Sequence, residues 1–131
     1  MTGSSFAPME RLDGRNVLIA GGLGAVGRAC AMRFAALGAR IVVLHRHPDE
    51  EAASFIKSLA GSGHMAVNAS ITESASLVRA AQSVKEKLGV LHVLVNTAGF
   101  TKPVAAGDLD ALTDDLIDSI FAANWRGVFA T

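Results

Sequence analysis

Gly22, Gly24 and Gly27 stand at the spacing G-x-G-x-x-G within AGGLGAVGRA, residues 20–29. An apolar run that reads as a strand precedes them and a helical pattern follows. In that context such a loop holds the pyrophosphate of a dinucleotide. The chemistry needs glycine because a Cβ would keep the backbone away from the anion. The N–H groups that open the helix, aided by its dipole, then grip it. The alternative is a tight strand–helix turn with no ligand.

A second group bears on which dinucleotide. Sheets that bind NAD usually place an Asp or Glu at the end of the second strand, about 20 residues past the loop, on the ribose 2′-OH. Here the strand ends Leu44-His45-Arg46-His47, and no acid follows until Asp49. An arginine at this corner would pair with a 2′-phosphate, so the expected cofactor is NADP(H), with NAD(H) as the alternative. The missing acid also argues against S-adenosylmethionine, whose ribose is commonly gripped in a similar way. A solvated helix-start residue is the other reading of Arg46. The His45-Arg46-His47 triplet suggests a metal, but neighbouring side chains alternate direction and no third ligand sits nearby, so no metal is expected.

These residues need a scaffold, and the hydrophobic pattern supplies one. Residues 15–20, 40–45 and 90–96 are short apolar runs rich in Val, Ile and Leu, as in strands buried on both faces of a parallel sheet. MAVNA, 65–69, is a weaker strand candidate. Between them lie helical stripes. Val26, Cys30, Phe34 and Leu37 end at Gly38, and Phe55, Ile56 and Leu59 follow a helix start at Pro48. Leu77, Ala80, Ala81, Val84 and Leu88 run from a Thr72 cap to Gly89. The order β-α-β-α-β-α-β, then a loop over about 97–109 and more helix, predicts an α/β fold: a doubly wound, Rossmann-like parallel sheet of about four strands.

Composition narrows the setting. The 131 residues suit one domain, expected as a flexible tail over 1–10 and a dinucleotide-binding domain over 11–131. Lys plus Arg equals Asp plus Glu at 12 each, giving no electrostatic reason to expect nucleic acid or an anionic membrane. The single cysteine, Cys30, cannot form an internal disulfide. The first ten residues do not read as a signal peptide, and no apolar run approaches the ~20 residues of a membrane span. The expected location is the cytoplasm.

Three motifs taken together resemble the short-chain dehydrogenase/reductase family. They are Gly21-Gly22-Leu23-Gly24-Ala25-Val26-Gly27 after strand one, Asn96-Thr97-Ala98-Gly99 after strand four, and Asn124 within NWRGVF. The resemblance runs from about residue 10 to 131, in order and at family-like spacing. Against the family's T-G-x-x-x-G-x-G, Gly21 and Gly27 match, while Ala20 replaces the Thr and Ala25 the middle Gly. Thr97 takes the second place of its N-N-A-G. The resemblance implies that Gly21, Gly22, Leu23, Gly24, Val26 and Gly27 cradle the cofactor. It places Ala98 and Gly99 beside its ribose and nicotinamide, and has Asn96 help fix the central strands. Ser70, followed by Ile71, stands where the family often has an Asp against adenine. Asn124 matches the asparagine that supports a water in the proton relay. His92 stands where an Asp is common, and reads as a structural, partly buried imidazole. Trp125 and Arg126 read as packing or subunit-contact residues, and the 97–109 loop with Phe100 and Pro103 as the border of the substrate mouth.

By the same resemblance the reaction is hydride transfer between nicotinamide and a small carbonyl or alcohol, such as a keto-acyl, sugar or polyol compound, in a homo-oligomer (dimer or tetramer). A Ser, a Tyr and a Lys would carry the chemistry. The chain contains no tyrosine, so a Y-x-x-x-K motif is absent from it. The expectation is a cofactor-binding half, truncated at its C-terminal end and inactive alone. Strand four would then be a bare apolar edge, and the helix with Leu116, Ile117, Ile120, Phe121, Val128 and Phe129 would be incompletely covered. The rival reading is a non-catalytic dinucleotide-binding or subunit-interaction protein.

Overall fold

The computed structural model describes residues 10–131; apart from Glu10, the tail expected over 1–10 lies outside the described residues. The order is β1 (Asn16–Ala20), α1 (Ala25–Ala36), β2 (Arg40–His45), α2 (Asp49–Ser58), β3 (Met65–Asn68), α3 (Ser74–Leu88) and β4 (Val93–Asn96). After a loop come a 3-10 turn (Leu109–Ala111), α4 (Asp114–Phe121), a π-helical segment (Ala122–Gly127) and α5 (Val128–Ala130). All strand pairs are parallel and the sheet order is β3-β2-β1-β4.

Successive strand residues point to opposite faces, so each apolar strand feeds two cores. Val17, Ile19, Ile41 and Val43 pack with Ala31 and Ala35 of α1, with Phe55 of α2 and with Leu59, which follows it. Leu18, Ala20, Val42 and Leu44 pack with Leu77, Ala80 and Val84 of α3. Helices on both faces make the sheet doubly wound, and burial on both faces explains the missing polar alternation. Full burial of a Val, Leu or Ile contributes about 1.5–3 kcal/mol, so the wholly buried Val17, Ile19, Ile41, Val42 and Val43 anchor the fold on its central strands.

Three local expectations are corrected. The most deeply buried face of α1 is Gly27, Ala31 and Ala35; of the expected stripe, Cys30 and Phe34 pack against the core, while Val26 is 65% exposed. Gly27 sits directly on the backbone of Gly21 and Gly22, and this contact turns the small residues inward. Thr72 does not cap α3; the capping position is Glu73, and the Thr72 hydroxyl lies 2.8 Å from that of Ser70. Pro48 occupies the capping position of α2 rather than its first turn.

Candidate functional site

The C-terminal ends of all four strands open into one cleft of about 900 Å³. Each strand contributes its following loop: Gly21, Leu23 and Gly24 after β1; Arg46, His47 and Pro48 after β2; Ile71 and Thr72 after β3; Thr97 to Phe100 after β4. Between β1 and β4 the winding of the sheet reverses. Ligands of open α/β sheets bind at such a switch point.

The glycine loop is built by close approach. Gly21 has φ +76°, and a Cβ there would lie 2.7 Å from the Ala98 nitrogen and Cα. A Cβ on Gly27 would fall on the Gly21 carbonyl oxygen and within 2.7 Å of the Gly22 Cα. The loop therefore lies flat against the turn after β4, and α1 starts immediately above it. The first helical N–H groups, those of Ala25, Val26 and Gly27, have no carbonyl one turn earlier in the helix to receive them. No acidic residue lies in the first turn of α1, whereas that of α2 holds Asp49, Glu50 and Glu51. The start of α1 is the end of a helix at which an anion meets no competing carboxylate.

Of the residues singled out in the sequence, Gly21, Leu23, Gly24, Arg46, Ile71, Ala98 and Gly99 line the cleft. Gly22 and Gly27 are buried beneath the loop, and exposed Val26 lies outside the wall. Arg46 is exposed at the rim, and its guanidinium has no hydrogen bond or ion pair among the described residues. His47 beside it lies 3.2 Å from Glu51, which also pairs with Arg28, and the Arg28 guanidinium stacks 4.6 Å from the centre of the Phe55 ring. The Ser70 hydroxyl is engaged in a turn, accepting the Thr72 N–H at 3.3 Å, so Ile71 and Thr72 rather than Ser70 face the cleft. Asn96 is exposed at the end of β4 and accepts a 2.9 Å hydrogen bond from the Thr131 hydroxyl.

Asn124 lies outside the wall but holds part of it. Its Oδ1 accepts the Phe100 N–H and its Nδ2 donates to the Phe100 carbonyl, both at 2.7 Å. Within the π-helical segment Asn124 addresses the loop and Gly127 packs on Ile71, where a Cβ would come within 2.9 Å of Cδ1. Local π-helix recurs at functional sites because the wider turn re-aims side chains. His92, in contrast, is exposed rather than partly buried. Its Nδ1 accepts the Asn16 N–H at 2.9 Å at the opposite end of β1, a structural role.

Two features had no signal in the sequence. The Thr97 hydroxyl donates to the Ala20 carbonyl at 2.8 Å, and the Asn124 clamp grips Phe100. Both depend on which loops the sheet order makes neighbours, across 77 and 24 residues respectively.

A four-strand Rossmann-like sheet with a ligand-sized cleft at its switch point defines the class of protein. Comparison with known proteins refines it. The sequence profile of the short chain dehydrogenases matches residues 15–131. Short chain dehydrogenase mdpC of Emericella nidulans is 32% identical over 98% of this chain and 48% of the relative. Oxidoreductase UcpA of Escherichia coli K12 is 34% identical over 92% of this chain and 45% of the relative. The crystal structure of gox2181 superposes with a TM-score of 0.81 at 30% identity, over 92% of this chain and 46% of that one. The chain belongs to the short-chain dehydrogenase/reductase family. It spans about half the length of the curated relatives it matches. The family implies a nicotinamide dinucleotide cofactor.

Proposed function

We propose that the whole protein is an NADP(H)-dependent oxidoreductase and that this chain carries its cofactor-binding half. The substrate is a small carbonyl or alcohol of the keto-acyl, sugar or polyol kind. One observation carries the reading: the flattened glycine loop, the unpaired Arg46 and the Ala98–Gly99 turn share a single cleft. A dinucleotide fits that arrangement, because glycines leave the space a Cβ would fill and the first turn of α1 bears no acid.

The nicotinamide ring supplies the hydride-carrying carbon when bound; the chain's own residues bind and orient. The N–H groups opening α1 hold the pyrophosphate, with Gly21, Gly22, Leu23, Gly24, Val26 and Gly27 forming the cradle. Arg46 pairs with a 2′-phosphate at the open rim. Ile71 closes the adenine side, with Ser70 shaping the turn behind it, and Ala98 and Gly99 flank the nicotinamide side. Asn96 steadies the end of β4. Asn124 serves the proton relay by holding the loop at Phe100. With no tyrosine in the sequence, the 131-residue chain binds cofactor and performs no turnover by the family's route.

We place the protein in the cytoplasm as a homo-oligomer. The lone cysteine supports the first. An exposed aromatic ladder on the asparagine helix, Phe121, Trp125 and Phe129, supports the second. Among the described residues no helix is long and apolar enough to cross a membrane.

Substitution tests the cofactor assignment. Arg46→Ala removes a charge-assisted contact and should weaken NADPH binding about tenfold or more, with NADH unchanged. Equal effects on both dinucleotides, or none, would refute the role given to Arg46.

A further inference from the structure

Ala20 and Gly21 form the peptide at which β1 becomes the glycine loop, and it is held from both sides. The Gly21 N–H donates to the Leu44 carbonyl of β2 at 3.0 Å, while the Ala20 carbonyl accepts the Thr97 N–H at 2.9 Å. The same carbonyl also accepts the Thr97 hydroxyl at 2.8 Å, and that hydroxyl lies 3.3 Å from the Gly21 carbonyl oxygen. The Gly21 oxygen receives the Gly24 N–H at 2.9 Å and has Gly27 packed upon it. One side chain thus reaches the two carbonyls that set the direction of the loop, and the second of them sets the start of α1. In the pattern this chain resembles, a hydroxyl residue stands at position 20 and an amide at position 97. Here the hydroxyl stands on the β4 side.

We propose that Thr97 is a positioning residue for the dinucleotide. Its hydroxyl tethers the Ala20 and Gly21 carbonyls to the turn after β4, so that the N–H groups opening α1 stay aimed into the cleft. This rests on the dinucleotide reading above and goes beyond it by assigning the tether to a side chain that does not itself grip the cofactor. The Thr97 N–H still satisfies the Ala20 carbonyl when the hydroxyl is removed, so the fold survives the change and the loop loosens.

The test pairs Thr97→Val, which keeps the shape and deletes the proton, with Thr97→Ser, which keeps the hydroxyl. NADPH affinity is measured by calorimetry, stability of the free chain by urea unfolding, and loop order by amide exchange at Gly24. Thr97→Val should raise the NADPH Kd about fivefold to tenfold, the range expected for one net hydrogen bond. It should also speed exchange at Gly24 while leaving the urea midpoint nearly unchanged. Thr97→Ser should restore both. If Thr97→Val binds as wild type, if its loss only tracks a lower midpoint, or if Ser fails to rescue, this proposal alone is overturned. If the wild-type chain binds no dinucleotide, the functional reading falls and the proposal falls with it.

Discussion

Gly21 meets two separate demands at one position. Its φ of +76° is a conformation that costs other residues about 1–2 kcal/mol. A Cβ would also meet the backbone of Ala98 at 2.7 Å, where no flexible side chain can move aside. Gly21→Ala should therefore destabilise the chain by about 3 kcal/mol, seen as a lower urea midpoint with an unchanged slope. A change below about 0.5 kcal/mol would show that the loop is not pressed against the β4 turn. Glycine announces such a position because its only asset is the missing Cβ, and the loop was legible for that reason. Thr97 was not, since a hydroxyl's value depends on its acceptors, which here lie on Ala20 and Gly21. Ser70 shows the converse: its hydroxyl is spent on the Ser70–Thr72 turn, a local hydrogen bond that leaves Ile71 to face the cleft.

At the scale of elements, the helical stretch from Asp114 to Ala130 is tied to the site by two contacts. Asn124 clamps Phe100, and Gly127 seats on Ile71. Both contacts fall within the π-helical segment, three residues apart. Asn124→Ala removes both hydrogen bonds and should speed amide exchange at Phe100 about tenfold, with α3 and the central strands unaffected. Asn124→Asp can still accept the Phe100 N–H but cannot donate to its carbonyl, so it should fall between. Exchange unaltered by Asn124→Ala would remove the clamp from the account. The strand pattern revealed β1 and β2 because two-sided burial leaves an unbroken apolar run. Helical periodicity placed Cys30 and Phe34 of α1 against the core but misjudged Val26, which close contact at Gly27 leaves in solvent.

Across the whole molecule, burial is uneven. The central strands are sealed on both faces, whereas β4 is an outer strand of the described sheet, with Leu94 42% exposed. On the asparagine helix Phe121, Trp125 and Phe129 stack in a ladder, with ring centroids 5.4 and 6.4 Å apart. Contiguous exposed apolar surface of this kind favours association. The chain should therefore self-associate with rising concentration in sedimentation experiments, and the double substitution Phe121→Ser, Trp125→Ser should shift it toward monomer. Identical profiles would assign the ladder no part in assembly. The charges balance at 12 of each sign, so net charge supplies no long-range steering. The most direct test of the central claim is a calorimetric titration of the wild-type chain with NADPH and with NADH under identical buffer conditions. Saturable one-site binding, with NADPH at least about tenfold tighter, is the predicted result. Absence of saturable binding to either dinucleotide, or tighter binding of NADH, would contradict it.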